Sequence, residues 1–487
     1  MATATAPRPR APDGTAPSPR PVTEPAPAPE PSPPHRHTGR AVRARCARYA
    51  PGLPVVAVLL LLCLPTGSGD SRVTPADAAC AALVLWCALR AVRGRERPLT
   101  ARAALVLAAP AVGIALAAIT SRDPAAGLPG LVRYLEVFVL VPAAVVLALR
   151  HPRHARLVMA GLLLLAVVQG AVGVHQYATG TGASYRGQDI RAVGTFGPLD
   201  VMGMSTVVSH GLLVALAVGL APPARSPRWL RPAALGCAAA LVVPLVFSFS
   251  RGAWIATAVA CAAVLLLAGA RLALRTLAVV GCAGVVLVGG FGIGSQLIGE
   301  RLGSITDVTA APDQSVTDRY TLWAAAVSIW RDAPLTGVGL KGFPDHRDAH
   351  ASLALSSGSD IAGAGSDFRR EPLLSPHNMY LLVLSEQGLV GLLALGGSWA
   401  ALAVCAVRRL RTGPAPPGAP GGRWAERDCG LLAVGMLCWQ LVDFLYADIG
   451  GPSTALTGIV FGFVAWWALA ARPAGEPGPA ARTAVAR

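Results

Sequence analysis

Apolar runs long enough to cross a bilayer recur along almost the whole chain, and they fix the solvent in which it folds. A helix needs about 20 predominantly apolar residues to span a hydrocarbon core of ~30 Å. By that rule candidate spans fall near 50–66, 75–92, 102–119, 129–149, 155–177, 199–220, 231–249, 252–269, 273–294, 377–406, 429–447 and 452–471, about twelve in all. Composition agrees: 53% of residues are hydrophobic and only 14% are charged, against about 25% charged in soluble domains. The expected fold class is all-α, a polytopic membrane protein of about twelve transmembrane helices with one large extracytoplasmic loop carrying short helices.

The formal net charge is +16, almost all of it arginine, and Lys341 is the only lysine. In a membrane protein the placement of these charges matters more than their sum, so nucleic acid is not implied. Arginines gather in the N-terminal flank (Arg36, Arg40, Arg43, Arg45, Arg48) and in 90–102, 150–156, 222–232, 270–275 and 407–428. The alternate connections are poor in them, and the longest, 295–375, holds ten acids against seven bases. Because cytoplasmic loops carry the Lys/Arg excess, both termini are expected in the cytoplasm and 295–376 outside. Residues 1–45 and 473–487 read as disordered cytoplasmic tails rich in Pro, Ala and Arg, flanking a transmembrane domain at 46–472. Residues 1–45 have no apolar core of a secretory signal peptide. Ten cysteines carry no CxxC or Cys/His metal spacing, so they read as small core residues.

Structureless loops beyond about 15 residues are uncommon unless functional or disordered, and 295–375 has internal pattern. Asp318 to Trp330 places Arg319, Trp323, Ala326 and Trp330 on one helical face, with Ser315 as a capping start and Pro334 as a stop. The two tryptophans suit the headgroup level, so a short helix on the outer membrane surface is expected. Gly337-Val338-Gly339-Leu340-Lys341-Gly342 matches G-x-G-x-x-G, but it lies outside a βαβ unit and so carries no dinucleotide meaning. It reads either as a plain turn or as one bringing Lys341 to a ligand. His346 and His350, flanked by Asp345 and Asp348, have no third fixed ligand and read as solvated side chains rather than a metal site.

Three further clusters interrupt the apolar pattern. Ser248-Phe249-Ser250-Arg251-Gly252-Ala253-Trp254 joins two runs with almost no loop, so Arg251 must be paired or must face an anion such as phosphate or carboxylate. Arg186 and Arg191 stand in a loop expected to be basic-poor, where each is either an interfacial arginine or a headgroup contact. Ser375-Pro376-His377-Asn378-Met379-Tyr380 heads a span, with His377 and Tyr380 sharing a face. His377 is equally readable as a histidine at the membrane surface and as a base for a hydroxyl proton.

Together, Ser248-x-Ser250-Arg251-Gly252-x-Trp254, Arg319 with Trp323, Pro334-x-x-Gly337-x-Gly339-x-x-x-Phe343, and Pro376-His377-Asn378-x-Tyr380 followed by Glu386-x-Gly388-Leu389-x-Gly391 resemble the O-antigen ligase and polymerase superfamily. The resemblance runs from about 185 to 400. It implies a C-type glycosyltransferase with no metal and no cofactor. Such an enzyme moves a glycan from an undecaprenyl diphosphate carrier to a hydroxyl of a glycan, lipid or protein acceptor at the outer face. Carried over by motif, His377 and Arg251 are the catalytic candidates; Arg191, Arg319, Lys341, Asn378 and Tyr380 are the substrate-binding ones. Where relatives often carry an Asn-Pro-Asn-like turn, this chain has Pro198-Leu199-Asp200. A multi-pass transporter or exporter of a polysaccharide or lipid-linked glycan also fits the spans, but no repeated halves are visible and the polar candidates gather at one end.

Overall fold

The computed structural model describes residues 49–65, 74–94, 99–184, 190–197, 200, 202–285, 314–356, 359–363, 369–371, 373–412, 426–451 and 453–470. The two expected tails, Arg186 and the stretch 295–313 lie outside these. In chain order the helices are α1 (Ala50–Leu61), α2 (Pro75–Gly94), α3 (Ala101–Ile119), α4 (Pro124–Ala148), α5 (Pro152–Thr179), α6 (Gly203–Leu220), α7 (Leu230–Phe247), α8 (Arg251–Ala268), α9 (Ala270–Val285), α10 (Gln314–Asp332), α11 (Phe343–His350), α12 (Met379–Thr412), α13 (Arg427–Asp443) and α14 (Thr454–Leu469). Among the described residues eight are long and apolar enough to cross a membrane: α2 to α8 and α12. The remaining expected spans fall on α1, α9, α13 and α14. α13 and α14, of 17 and 16 residues, reach only about 25 Å, short of a ~30 Å core, and the 286–294 part of the span expected on α9 lies outside the described residues.

The helix boundaries follow local chemistry. Thr100 and Ser250 accept from Ala103 and Ala253 N–H to cap α3 and α8, and Asp123 accepts from Ala125 and Ala126 ahead of Pro124. Gly180, at φ 72, closes α5. The bundle is all-helical, and one small sheet accompanies it in the connections. β1 (Ala183–Ser184), β2 (Ser359–Gly363) and β3 (Arg369–Glu371) form a small antiparallel sheet in the order β1-β2-β3. Backbone groups of the long connection that no helix satisfies pair instead with the chain leaving α5.

Contacts between facing residues set the packing. Gly252 meets Tyr446, Thr257 Oγ1 accepts from Trp439 Nε1 at 3.0 Å, and Gly435 meets Val264, so α8 and α13 run antiparallel. In the same way Gly113 touches Gly391 and Ser398 Oγ donates to Val106 O at 2.8 Å, which pairs α3 antiparallel with α12. Gly458 and Gly462 of α14 instead face Val141 and Val145 of a parallel α4. That is the small-xxx-small contact by which membrane helices approach where no hydrophobic force joins them. Two arginines inside the bundle are paired: Arg133 Nη1 reaches Asp77 at 2.6 Å and Glu136 at 3.1 Å, while Arg156 grips Asp428 at 2.7 and 3.1 Å near the opposite end.

Helix α12 is broken. Gly388 has φ 64 and ψ −165, dividing the helix into a short first part from Met379 and a 24-residue second part, about 36 Å long and able to span the core alone. A second, smaller core lies over the first part: Leu322, Ala326 and Ile329 of α10 with Phe343, Leu373 and Leu382.

Candidate active site

The turn between α7 and α8 is built by its own polar residues. Ser248 Oγ donates to Leu245 O at 2.6 Å, Ser250 N–H donates to Ser248 Oγ at 3.3 Å, and Trp254 Nε1 donates to Leu245 O at 2.7 Å. Phe249 takes φ 50 so that the chain can reverse in this space. The motif thus consumes its serines and tryptophan in structure. Arg251, first residue of α8, stays exposed and forms no hydrogen bond or ion pair with a described residue.

The Pro-His-Asn turn is pinned from two sides. Trp323 Nε1 of α10 donates to Pro376 O at 2.9 Å. From the other side Met379 N–H is shared by Phe444 O and Ala447 O, at 2.9 and 3.1 Å. Asn378 Oδ1 caps α12 by accepting Leu381 N–H at 3.1 Å, while its Nδ2 donates to Leu445 O at 3.2 Å. Tyr380 hydroxyl donates to Leu441 O at 2.7 Å. Both side chains therefore hold the turn against the end of α13. His377 sits half-buried in this turn at φ 47, and its ring nitrogens have no hydrogen-bond partner among the described residues.

The segment Phe444–Ala447 joins the two motifs. It bonds Met379 and Asn378 on one flank, and on the other Tyr446 lies against Gly252, where an added Cβ would stand 3.1 Å from the tyrosine Cβ. Arg251 and His377 are thus brought to one end of the bundle, on either side of a single turn. Arg191 reaches the same end: its backbone pairs with Ala183 at 2.7 and 2.9 Å, and the next residue, Ala192, donates to Phe247 O beside the Arg251 turn. Gln169 and Gln176 of α5 hold the following residues, accepting from Thr195 N–H at 2.9 Å and Gly194 N–H at 2.9 Å. Arg319 is exposed on α10, one turn before Trp323.

The Gly-x-Gly segment plugs the break in α12. Val338 and Gly339 N–H donate to Ser385 and Glu386 O at 3.0 Å each, and Leu389 and Val390 N–H donate to Pro334 and Leu335 O at 2.9 and 3.2 Å. These bonds replace the helical ones lost at Gly388, satisfying backbone that cannot lie open at membrane depth. Only glycine fits: a Cβ on Gly337 would stand 2.4 Å from Glu386 C, and one on Gly388 2.3 Å from Leu335 O. Lys341, at φ 62, follows directly and packs on Gly130. Its place is beside the break, about three helical turns from His377, which precedes α12. His346 Nδ1 meets Gly342 O at 2.9 Å, at the start of its own helix, while His350 meets Ser328 Oγ at 2.9 Å and Asp332 at 3.4 Å and so ties α11 to α10.

Residues 235–396 match the family model described as O-antigen ligase. Over this stretch, about a third of its length, the chain is similar to the O-antigen ligase family. No curated protein matches the chain. The matched segment holds Arg251, Arg319, Lys341 and His377, whereas Arg191 and the 444–447 turn lie beyond it.

Sequence reasoning passed over several polar groups beside this ligase segment. Asp200 is buried and accepts Ser453 N–H at 2.8 Å; burial pushes its carboxyl up from the usual carboxylate range, and that hydrogen bond opposes the shift. Asp443 is 6% exposed, and its Oδ1 has no partner among the described residues. Arg133 Nη2 donates to Gly451 O at 3.3 Å, tying the same turn to α4. Acids inside apolar runs, Asp443 and Glu386, were the available signal, since such groups are costly unless they serve a site or a partner.

Proposed function

We propose that this membrane protein transfers a glycan from an undecaprenyl diphosphate carrier to an acceptor hydroxyl, at the end of the bundle where Arg251 and His377 meet. The supporting observation is the convergence of their turns: Gly252, next to the exposed Arg251, and Asn378 and Met379, next to His377, all contact the Phe444–Ala447 segment. The arginine rule assigns this end to the extracytoplasmic side, with both termini cytoplasmic. In the reaction the acceptor oxygen bonds to the anomeric carbon of the donor sugar as the bond from that carbon to the diphosphate oxygen breaks. His377 takes the hydroxyl proton. Arg251, with Arg191 and Arg319 as further cations, holds the diphosphate as its charge develops, where fixed donors lower the barrier most. Undecaprenyl diphosphate leaves with the electron pair. Asn378 and Tyr380 keep the histidine in place.

The test uses purified protein, a synthetic prenyl-diphosphate-linked glycan and the acceptor fraction of the native envelope, with and without a chelator. Transfer that survives chelation in the wild type and falls roughly a hundredfold in Arg251→Gln supports the reading. A normally inserted Arg251→Gln that transfers at the wild-type rate refutes the role given to this arginine.

A further inference from the structure

Outside the transfer site, α10 and α11 bring together a serine, a histidine and an acid. Ser328 and Asp332 stand at i and i+4, so both side chains leave α10 on one face, a turn apart. His350 ends α11 against that face. Its Nδ1 meets Ser328 Oγ at 2.9 Å, and its Nε2 meets Asp332 Oδ2 at 3.4 Å. A carboxylate only accepts, so the proton of the neutral ring belongs on Nε2, which leaves Nδ1 to accept from the hydroxyl. The two ring nitrogens are exchanged relative to a chymotrypsin-like triad, but such a constellation is defined by roles: a nucleophile, a base and an orienting acid in one chain of contacts. A tie between two helices needs only one of these contacts. The imidazole commits both of its nitrogens.

Both helices are fixed from outside. Phe343, at the head of α11, is buried in the small core with Leu322, Ala326 and Ile329, and its N–H donates to Glu386 Oε1 at 3.4 Å. Arg347 Nη1 donates to Leu373 O and holds the last turn of α11. The Ser328 side is half-buried, while Ala324, Arg331 and Asp332 around it on α10 are exposed, so the site opens to water. Long helical side chains cover the turn N-terminal to their own Cα, which brings the Arg331 guanidinium within reach of an oxygen bound at Ser328.

We propose that Ser328 is the nucleophile of a hydrolytic site for short-chain carboxylic esters, with His350 as its base and Asp332 as the positioning residue. Ser328 Oγ bonds to the ester carbonyl carbon as its proton passes to His350 Nδ1, and Arg331 faces the negative oxygen that forms. The bond from that carbon to the alcohol oxygen breaks, and the alcohol leaves with the proton from His350. Water then gives a proton to His350 and bonds to the acyl carbon, and the carboxylic acid departs as Ser328 Oγ recovers its proton. The sum is ester and water giving acid and alcohol. The small and polar neighbours of Ser328 suit an acyl group of few carbons, and the open side admits the water. The site is separate from the transfer site and stands whether or not that reading holds.

Full-length protein in detergent is treated with a fluorophosphonate probe, which phosphonylates an activated serine and releases fluoride, and the labelled residue is located by peptide mass spectrometry. Hydrolysis of p-nitrophenyl acetate is followed in parallel. The wild type is expected to label at Ser328, and Ser328→Ala to lose both the label and, roughly a hundredfold, the acetate hydrolysis. In His350→Gln both rates fall by roughly a hundredfold, the lower end of what a positioned base contributes. His346→Gln, on the same helix but bonded to Gly342 O, keeps both. Asp332→Asn lowers the labelling rate at an unchanged melting temperature and Asp332→Glu restores it, a pattern that a purely structural acid would not give. The proposal is overturned if the wild type does not label at Ser328, if His350→Gln labels at the wild-type rate, or if His346→Gln loses as much as His350→Gln. Wild-type labelling of Asp332→Asn contradicts the role given to that acid. Should His350→Gln fail to fold, the wild type decides alone: heat-denatured protein must lose the Ser328 label, and equal labelling before and after denaturation overturns the site.

Discussion

His377, Lys341 and Phe249 are three of four non-glycine residues with positive φ among those described, and each belongs to one of the motifs that interrupt the apolar pattern. Such conformations cost of order 1–3 kcal/mol each and persist where the surroundings impose them. At His377 the imposing contacts are the Trp323 to Pro376 bond and the sharing of Met379 N–H by Phe444 and Ala447. His377→Gly should therefore keep or raise Tm, because glycine takes this φ freely. In the same variant transfer should fall by roughly 10²–10⁴, the usual contribution of a general base; thermal melting and a transfer assay on one preparation check both halves. The motif residues were legible in the sequence, but their division of labour was not. Asn378 and Tyr380, grouped there with the binding residues, give their polar atoms to carbonyls 67 and 61 positions away. That depends on which helix ends meet, and no local pattern encodes it.

At the scale of elements, the broken α12 connects the long connection to the bundle. The run 377–406 reads as one uninterrupted span because nothing in its apolar pattern marks Gly388 as a break. The repair comes from residues 334–339, about fifty positions earlier, so the break appears only once that segment is docked. Gly388→Ala would drive a Cβ to within 2.3 Å of Leu335 O at a φ of 64, and should lower Tm and transfer together. Trp323→Phe separates the two effects: it keeps most of the ring volume and removes the donor to Pro376 O. Its predicted signature is a modest loss of stability, about 1 kcal/mol for one hydrogen bond, with a disproportionate loss of kcat, measured by denaturation and steady-state kinetics. Equal losses in both would assign Trp323 to packing alone. The expected helical face of α10 was also only half right, for Ala326 belongs with Leu322 and Ile329 in the buried stripe.

For the molecule as a whole, the membrane character and the positions of the eight long apolar helices were open to reading from apolar length, because lipid permits so few backbone solutions. Partner choice among the helices was less open, since small residues that allow close approach leave a faint signal. The parallel contact of α4 with α14 is one such case: Gly462→Val would force bulk against Val145, whose Cβ already stands 2.5 Å from an added Cβ, and should lower Tm without changing which residues line the transfer site. The antiparallel pairings matter more for function, because α8 against α13 and α13 against α12 carry Arg251 and His377 to one end. Groups that act as a unit in one transition state give strongly non-additive losses. Transfer rates of His377→Ala, Arg251→Gln and the double variant, each shown to be inserted and folded, therefore test the shared site most directly. The account predicts that each single variant loses about a hundredfold or more and that the double variant is scarcely worse than the weaker single one. Wild-type transfer by His377→Ala, or losses that multiply in the double variant, would contradict it.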